Sequence, residues 1–124
     1  MRVGGFRKAA KIPYPYEYAS YEQVQTAAPA SRKAMHAFNA AQRGHQNFNE
    51  NHTNFLGALL ITGLEYPRTA ATLGAAFSIG RVLYGWGYTS GPDNGTGRYY
   101  GAVGLLAHYA ILFMSVKVAW DFVM

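Results

Sequence analysis

The chain has 124 residues, enough for one compact domain, and only 14% of them are charged while half are hydrophobic, against roughly 25% charged in soluble domains. Its net charge of +5 comes without a dense basic run or any nucleic-acid motif, which argues against nucleic acid as a partner. Zero cysteines exclude disulfides, thiolate zinc sites and a cysteine nucleophile within the chain.

Residues 1–30 read as an interfacial basic loop. GGFRKAAKIPYPYEYASY mixes cations with four tyrosines and two prolines, shows no helical or strand period, and lacks the apolar core of a signal peptide. A short helical turn is expected over 22–27, stopped by Pro29. Ser31 is a reasonable N-cap for a long helix over 31–66, which Pro67 ends. Such a helix is about 54 Å long at 1.5 Å per residue, against a bilayer core of roughly 30 Å. Its polar first half should therefore project from the bilayer and its apolar second half, FLGALLITGL, lie within it.

A second span is expected over 69–89, where Ala70 and Gly74, Ala71 and Ala75, and Ala76 and Gly80 are small residues four apart that let helices approach closely. Trp86 and Tyr88 sit at its end like an interfacial aromatic belt. SGPDNGTG, over 90–97, is a loop. A third span follows over 99–123, interrupted by His108 and by Lys117 and Asp121, whose i, i+4 spacing predicts an ion pair at the helix end. The expected fold is all-α, an integral membrane helical bundle forming a single domain over 1–124.

Seven of the 11 Lys and Arg residues precede Phe48, while the turn at Pro67 carries Arg68 alone. This asymmetry places the first 30 residues and the 90–97 loop on the cytosolic side. The sequons at Asn51 and Asn94 should then go unused. The mean hydropathy of -0.08 averages a polar first half with an apolar second half.

Two clusters carry candidate chemistry. On a helix, Arg43, Asn47 and Glu50 fall within about 40° of one another, and Asn39 and Asn54 extend the stripe. A cation, amides and a carboxylate in line can each hold a different group of a small zwitterion. Ionisable residues that run into a membrane segment point to function. Arg81, Tyr84 and Tyr88 share one face of the second span, with Arg98 just beyond the loop. Phenols and a guanidinium at one membrane surface can hold a peptide-like ligand and favour an anion, such as a thiolate, whose free thiol has a pKa near 8.5. Plainer readings stand beside these: the amide stripe as interhelical glue, Arg81 as a bridge to a carboxylate on another helix, and the tyrosines as interface anchors. His45 and His52 share a face, but no third ligand is spaced for a metal.

FNAAQRGHQNFNEN, EYPR and GRVLYGWGYTSG, in this order and spacing, resemble the MAPEG membrane family, and within it the type 3 microsomal glutathione transferases. The resemblance runs from about Arg7 to Gly104 and implies a homotrimer of four-helix subunits in the endoplasmic reticulum membrane or nuclear envelope. Glutathione would lie between subunits, facing the cytosol, as co-substrate and without a metal. The chain starts at what resembles the last turn of the family's first helix, leaving three spans here.

Carried over by motif, Arg43 would bind a glutathione carboxylate, Glu50 its α-amino group, and Asn47, His45, Tyr84 and Tyr88 the remainder. Arg7 and Lys8 match a basic pair at the end of the first family helix. Arg98 resembles the arginine that stabilises the thiolate and is the catalytic candidate. Asn51 stands where leukotriene C4 synthase has a tyrosine, so that contact is lost or replaced. The implied activity is attack of the thiolate on lipophilic electrophiles or lipid hydroperoxides, with leukotriene C4 synthase-type activity also associated with the branch. The alternative is a non-catalytic membrane lipid-binding or scaffold protein.

Overall fold

The computed structural model describes residues 3–91 and 95–124. It consists of helices, with no strand among the described residues: α1 Val3–Ala10, α2 Tyr21–Thr26, α3 Pro29–Glu65, α4 Pro67–Ser90, a 3₁₀ turn Thr96–Gly101 and α5 Ala102–Val123. The tip of the expected 90–97 loop, with Asn94 of the second sequon, lies outside the described residues.

The first thirty residues are more ordered than a loop. Val3–Ala10 is helical and ends where Lys11 takes a left-handed φ of 56°. Two turns containing Gly4 and Gly5 are too short to print a helical period, so packing decides: Val3 and Phe6 pack against the cluster of Ala10, Ile12, Ala19, Val24 and Phe38. Asn39 secures the segment that follows. Its Oδ1 accepts from the Ala19 N–H at 2.8 Å and its Nδ2 donates to the Ala19 carbonyl at 2.9 Å. Ser20 and Gln23 then form a capping box that starts α2.

Pro29 opens α3 as a first-turn residue, so Ser31 is not its N-cap; Ala28 holds that position without a side-chain bond. Proline's fixed φ and missing N–H suit a helix start as well as a helix stop. Pro67 does both, ending α3 at Glu65 and opening α4, with only Tyr66 (φ -122°, ψ 65°) between them.

Two apolar clusters sit at opposite ends of α3. Ala10, Ile12, Ala19, Val24 and Phe38 form one, and Phe55, Ala58, Phe77, Ala107 and Ile111 the other. The second joins α3, α4 and α5, with the Phe55 and Phe77 rings stacked at 3.7 Å. At Gly80 the backbones of α4 and α5 touch: a Cβ there would overlap the Cα and N of Gly104. Gly80 is thus the small residue that the helix contact requires, whereas Ala71 and Ala75 are exposed.

The outer faces are apolar. Leu60, Leu64, Val82, Trp86, Leu106, Phe113 and Trp120 are all more than half exposed, a surface suited to lipid or to other helices rather than water. By length and hydropathy one helix among the described residues qualifies to cross a membrane, spanning Thr96–Val123. α3 is apolar only beyond Phe55, and α4 is diluted by Thr, Ser, Gly and Arg81. At the far end of α5 the expected Lys117–Asp121 pair forms, and Lys117 Nζ also donates to the Tyr66 hydroxyl at 3.1 Å.

Candidate functional site

Between the two apolar clusters, the polar stretch of α3 faces α4 and the 3₁₀ turn. Arg81 reaches from α4 to α3, donating from Nη1 to Asn47 Oδ1 at 2.7 Å and from Nη2 to the Gly44 carbonyl at 3.2 Å. Its guanidinium lies 4.7 Å from the Tyr84 ring centroid and 5.6 Å from that of Phe48. Its Nε is buried without a partner. The carboxylate bridge expected for Arg81 is therefore an amide bridge. Glu50, the carboxylate on that stretch of α3, is instead held by Arg43, whose Nη1 lies 3.0 Å from Glu50 Oε1. Both of those side chains are about half exposed (48% and 53%), and the Glu50 carboxylate raises the Arg43 pKa further.

The turn after α4 is held against it by glycines. A Cβ on Gly97 would overlap the Gly87 carbonyl oxygen, and one on Gly101 would press on Tyr84 Cβ and the Gly80 carbonyl. This packing sets Arg98 beside the tyrosine pair, whose rings meet edge-on at 5.5 Å. Arg98 Nη2 donates to the Tyr99 hydroxyl at 3.1 Å.

Cavities open on both sides of the α3–α4 pair. One, of about 320 Å³, is bordered by Asn47, Asn51, Arg81, Tyr84, Arg98 and His108. A second, of about 300 Å³, gathers Tyr18, Asn39, Arg43, Tyr88 and Arg98. A third, of about 550 Å³, lies between α3 and α4 alone, with His45, Phe48, Arg81 and Trp86 in its walls. Arg98 is common to the first two cavities, and Arg81 to the first and third. The first two present amide, phenol and guanidinium groups to an anionic or zwitterionic ligand, with no carboxylate lining them among the described residues.

The sequence-derived candidates thus fall into groups. Asn47, Tyr84 and Arg98 share one cavity and Arg43, Tyr88 and Arg98 another, while Glu50 joins through its ion pair. His45 opens on the other side, 3.4 Å from the Asn49 amide. Arg7 stands apart, donating to the Tyr16 carbonyl at 2.5 Å and lying over the Tyr14 and Phe38 rings, and Lys8 is exposed on α1. Asn51 Nδ2 turns back to the Asn47 carbonyl at 2.7 Å. His52 stacks on Phe48 at 4.7 Å, and among the described residues no group of three possible metal ligands occurs.

Tyr18 is a site residue that the sequence reading passed over. Its hydroxyl donates to Gln46 Oε1, and burial raises its pKa despite the opposing pull of Arg43. Its only sequence signal was membership of a tyrosine-rich segment, which does not say which ring turns inward.

No solved structure matches the chain. The model of the MAPEG family matches residues 1–119, a family that is membrane-associated and includes glutathione transferases and related enzymes. With nearly its whole length matched, the chain belongs to the MAPEG family.

Proposed function

We propose that this protein is a membrane-bound glutathione transferase and peroxidase, close to the type 3 microsomal branch, that holds glutathione as a thiolate and turns it on lipophilic electrophiles or lipid hydroperoxides. The observation that carries the reading is Arg98. It borders both the Asn47–Tyr84 cavity and the Arg43–Tyr88 cavity, so one guanidinium can face a thiol whose tripeptide is held on either side. A nearby cation favours the thiolate over the thiol. In this reading Arg43 takes a carboxylate, Glu50 the α-amino group, and Asn47, Tyr84 and Tyr88 orient the peptide.

His45 opens away from the other candidates, which fits a glutathione lying between subunits of a homotrimer: one subunit supplies the Arg43 side and its neighbour the His45 side. Arg7 and Lys8 would act from a neighbouring subunit too. The apolar half of α3, α4 and α5 would be the three spans, in the endoplasmic reticulum membrane with the site facing the cytosol. Lipophilic substrates would arrive through the exposed apolar faces.

The test is a glutathione titration of the detergent-purified chain, followed by the ultraviolet absorbance of the thiolate. A thiolate signal that disappears in Arg98→Ala, with glutathione still bound, is the expected result. Binding with no thiolate and no turnover of any electrophile would replace the enzyme with the lipid-binding alternative.

A further inference from the structure

The α5 wall of the 320 Å³ cavity carries an imidazole that the thiolate chemistry leaves without a task. His108 is only 6% exposed. The other buried polar side chains are satisfied: Thr62 donates to the Ile111 carbonyl and Ser115 to that of Leu112. The ring neighbours of His108 lie at 5.8 Å (Phe77 and Tyr109) and 5.9 Å (Phe55), and the Arg81 guanidinium is the charged group that acts on it. Among the described residues its imidazole makes no hydrogen bond. Nor is it sealed in, because Arg81 Nε is the one unpartnered polar atom among the described residues with no access at all. Buried polar groups are ordinarily hydrogen-bonded, so an open one facing a cavity calls for a partner.

The surroundings define that partner. Phe77 and Leu105 make the cavity partly apolar, the cations Arg81 and Arg98 line it, and no carboxylate does so among the described residues. This setting suits a lipophilic molecule whose oxygen gains negative charge during reaction.

We propose that His108 is the proton donor to the oxygen that leaves when a lipophilic hydroperoxide is reduced in this cavity; the proposal rests on the thiolate reading above. The thiolate sulfur forms a bond to the distal peroxide oxygen, the O–O bond breaks, and its electron pair stays on the proximal oxygen. His108 gives that oxygen a proton, releasing the alcohol, and is reprotonated by the proton that glutathione lost on ionising. Sulfur is oxidised to the sulfenic acid and the peroxide is reduced. A second glutathione thiol then converts the sulfenic acid to the disulfide and water.

A pair of substrates separates this role from packing. Cumene hydroperoxide leaves an alkoxide that needs a proton, whereas 1-chloro-2,4-dinitrobenzene expels chloride, which needs none. His108→Gln keeps polarity and His108→Phe keeps a ring; both lose the transferable proton. The full chain, purified in detergent with added lipid, is expected to show a hydroperoxide-to-chloroarene rate ratio about 100-fold lower in both variants. A ratio equal to wild type in either variant would overturn the proposal, even if both rates dropped together. A wild-type protein that conjugates the chloroarene but leaves the hydroperoxide untouched would also overturn it while sparing the thiolate reading. Wild type inert toward both would sink the two together.

Discussion

Arg81 and Asn47, 34 residues apart in sequence, are joined by a 2.7 Å hydrogen bond that ties α4 to α3 at the centre of the site. The guanidinium is charged and partly buried, and Asn47 supplies the side-chain acceptor that it meets. Removing either partner should cost about 1.5–3 kcal/mol, the usual range for a hydrogen bond to a charged group. In a double-mutant cycle, Asn47→Ala and Arg81→Met should couple by about 1 kcal/mol or more, read from denaturant unfolding in detergent micelles. Strictly additive costs would mean that the bond contributes nothing.

Gly97 should prove as important to activity as a ligating residue, although it has no side chain. A Cβ at this position meets the Gly87 carbonyl, which belongs to backbone and cannot rotate away. Gly97→Ala must shift the turn that carries Arg98, at about 1–3 kcal/mol in overpacking. The expected signature is a lost thiolate signal with every ligating group still present. Gly57→Ala, where nothing lies within 4 Å of the added Cβ, serves as the control and should leave both stability and thiolate formation intact.

Asn39 and Arg43 lie one turn apart on α3 and should fail in opposite ways. Asn39→Ala removes both bonds to Ala19, releasing the segment that holds Tyr18. It should cost about 1–3 kcal/mol and speed proteolysis between Ile12 and Ser20. Arg43→Ala breaks an exposed ion pair, which solvent screens and which adds little to stability. Its effect should appear as weaker glutathione binding, about tenfold for each 1.4 kcal/mol of lost contact, with unfolding nearly unchanged. If Arg43→Ala destabilised the fold as much as Asn39→Ala, the division of labour along α3 would be wrong.

These contrasts also show what a sequence can tell. The long third helix and its break at Pro67 were legible because proline acts locally and apolar periodicity extends over many residues. The α3 stripe was legible as a face, but a face does not name its neighbours. Asn39 borders the Arg43 cavity and also clamps Ala19, while Asn47 meets Arg81 from another helix. Pro29 follows the end of α2, as expected, and also opens α3, because the same ring geometry serves a helix's first turn. The turns of α1 are legible only through the family resemblance, because they draw their order from a cluster that includes Phe38, thirty residues away. Contacts of that range depend on how helices pack, which spacing within one segment cannot encode.

The pH dependence of catalysis should report on Arg98 directly. Glutathione reacts as the thiolate, and a free thiol ionises near pH 8.5. A guanidinium beside the bound thiol stabilises its charged form and so lowers that pKa. Turnover should therefore rise with pH and level off well below 8.5 in the wild type. Removing the cation withdraws the stabilisation, so in Arg98→Ala the same rise should move up toward 8.5, with the rate at neutral pH falling about tenfold per unit of displacement. Above pH 9 the variant should regain much of the lost rate, because solution then supplies the ionisation that the protein no longer does. A wild-type profile already centred near 8.5, or an Arg98→Ala defect of equal size at every pH, would take the thiolate away from Arg98.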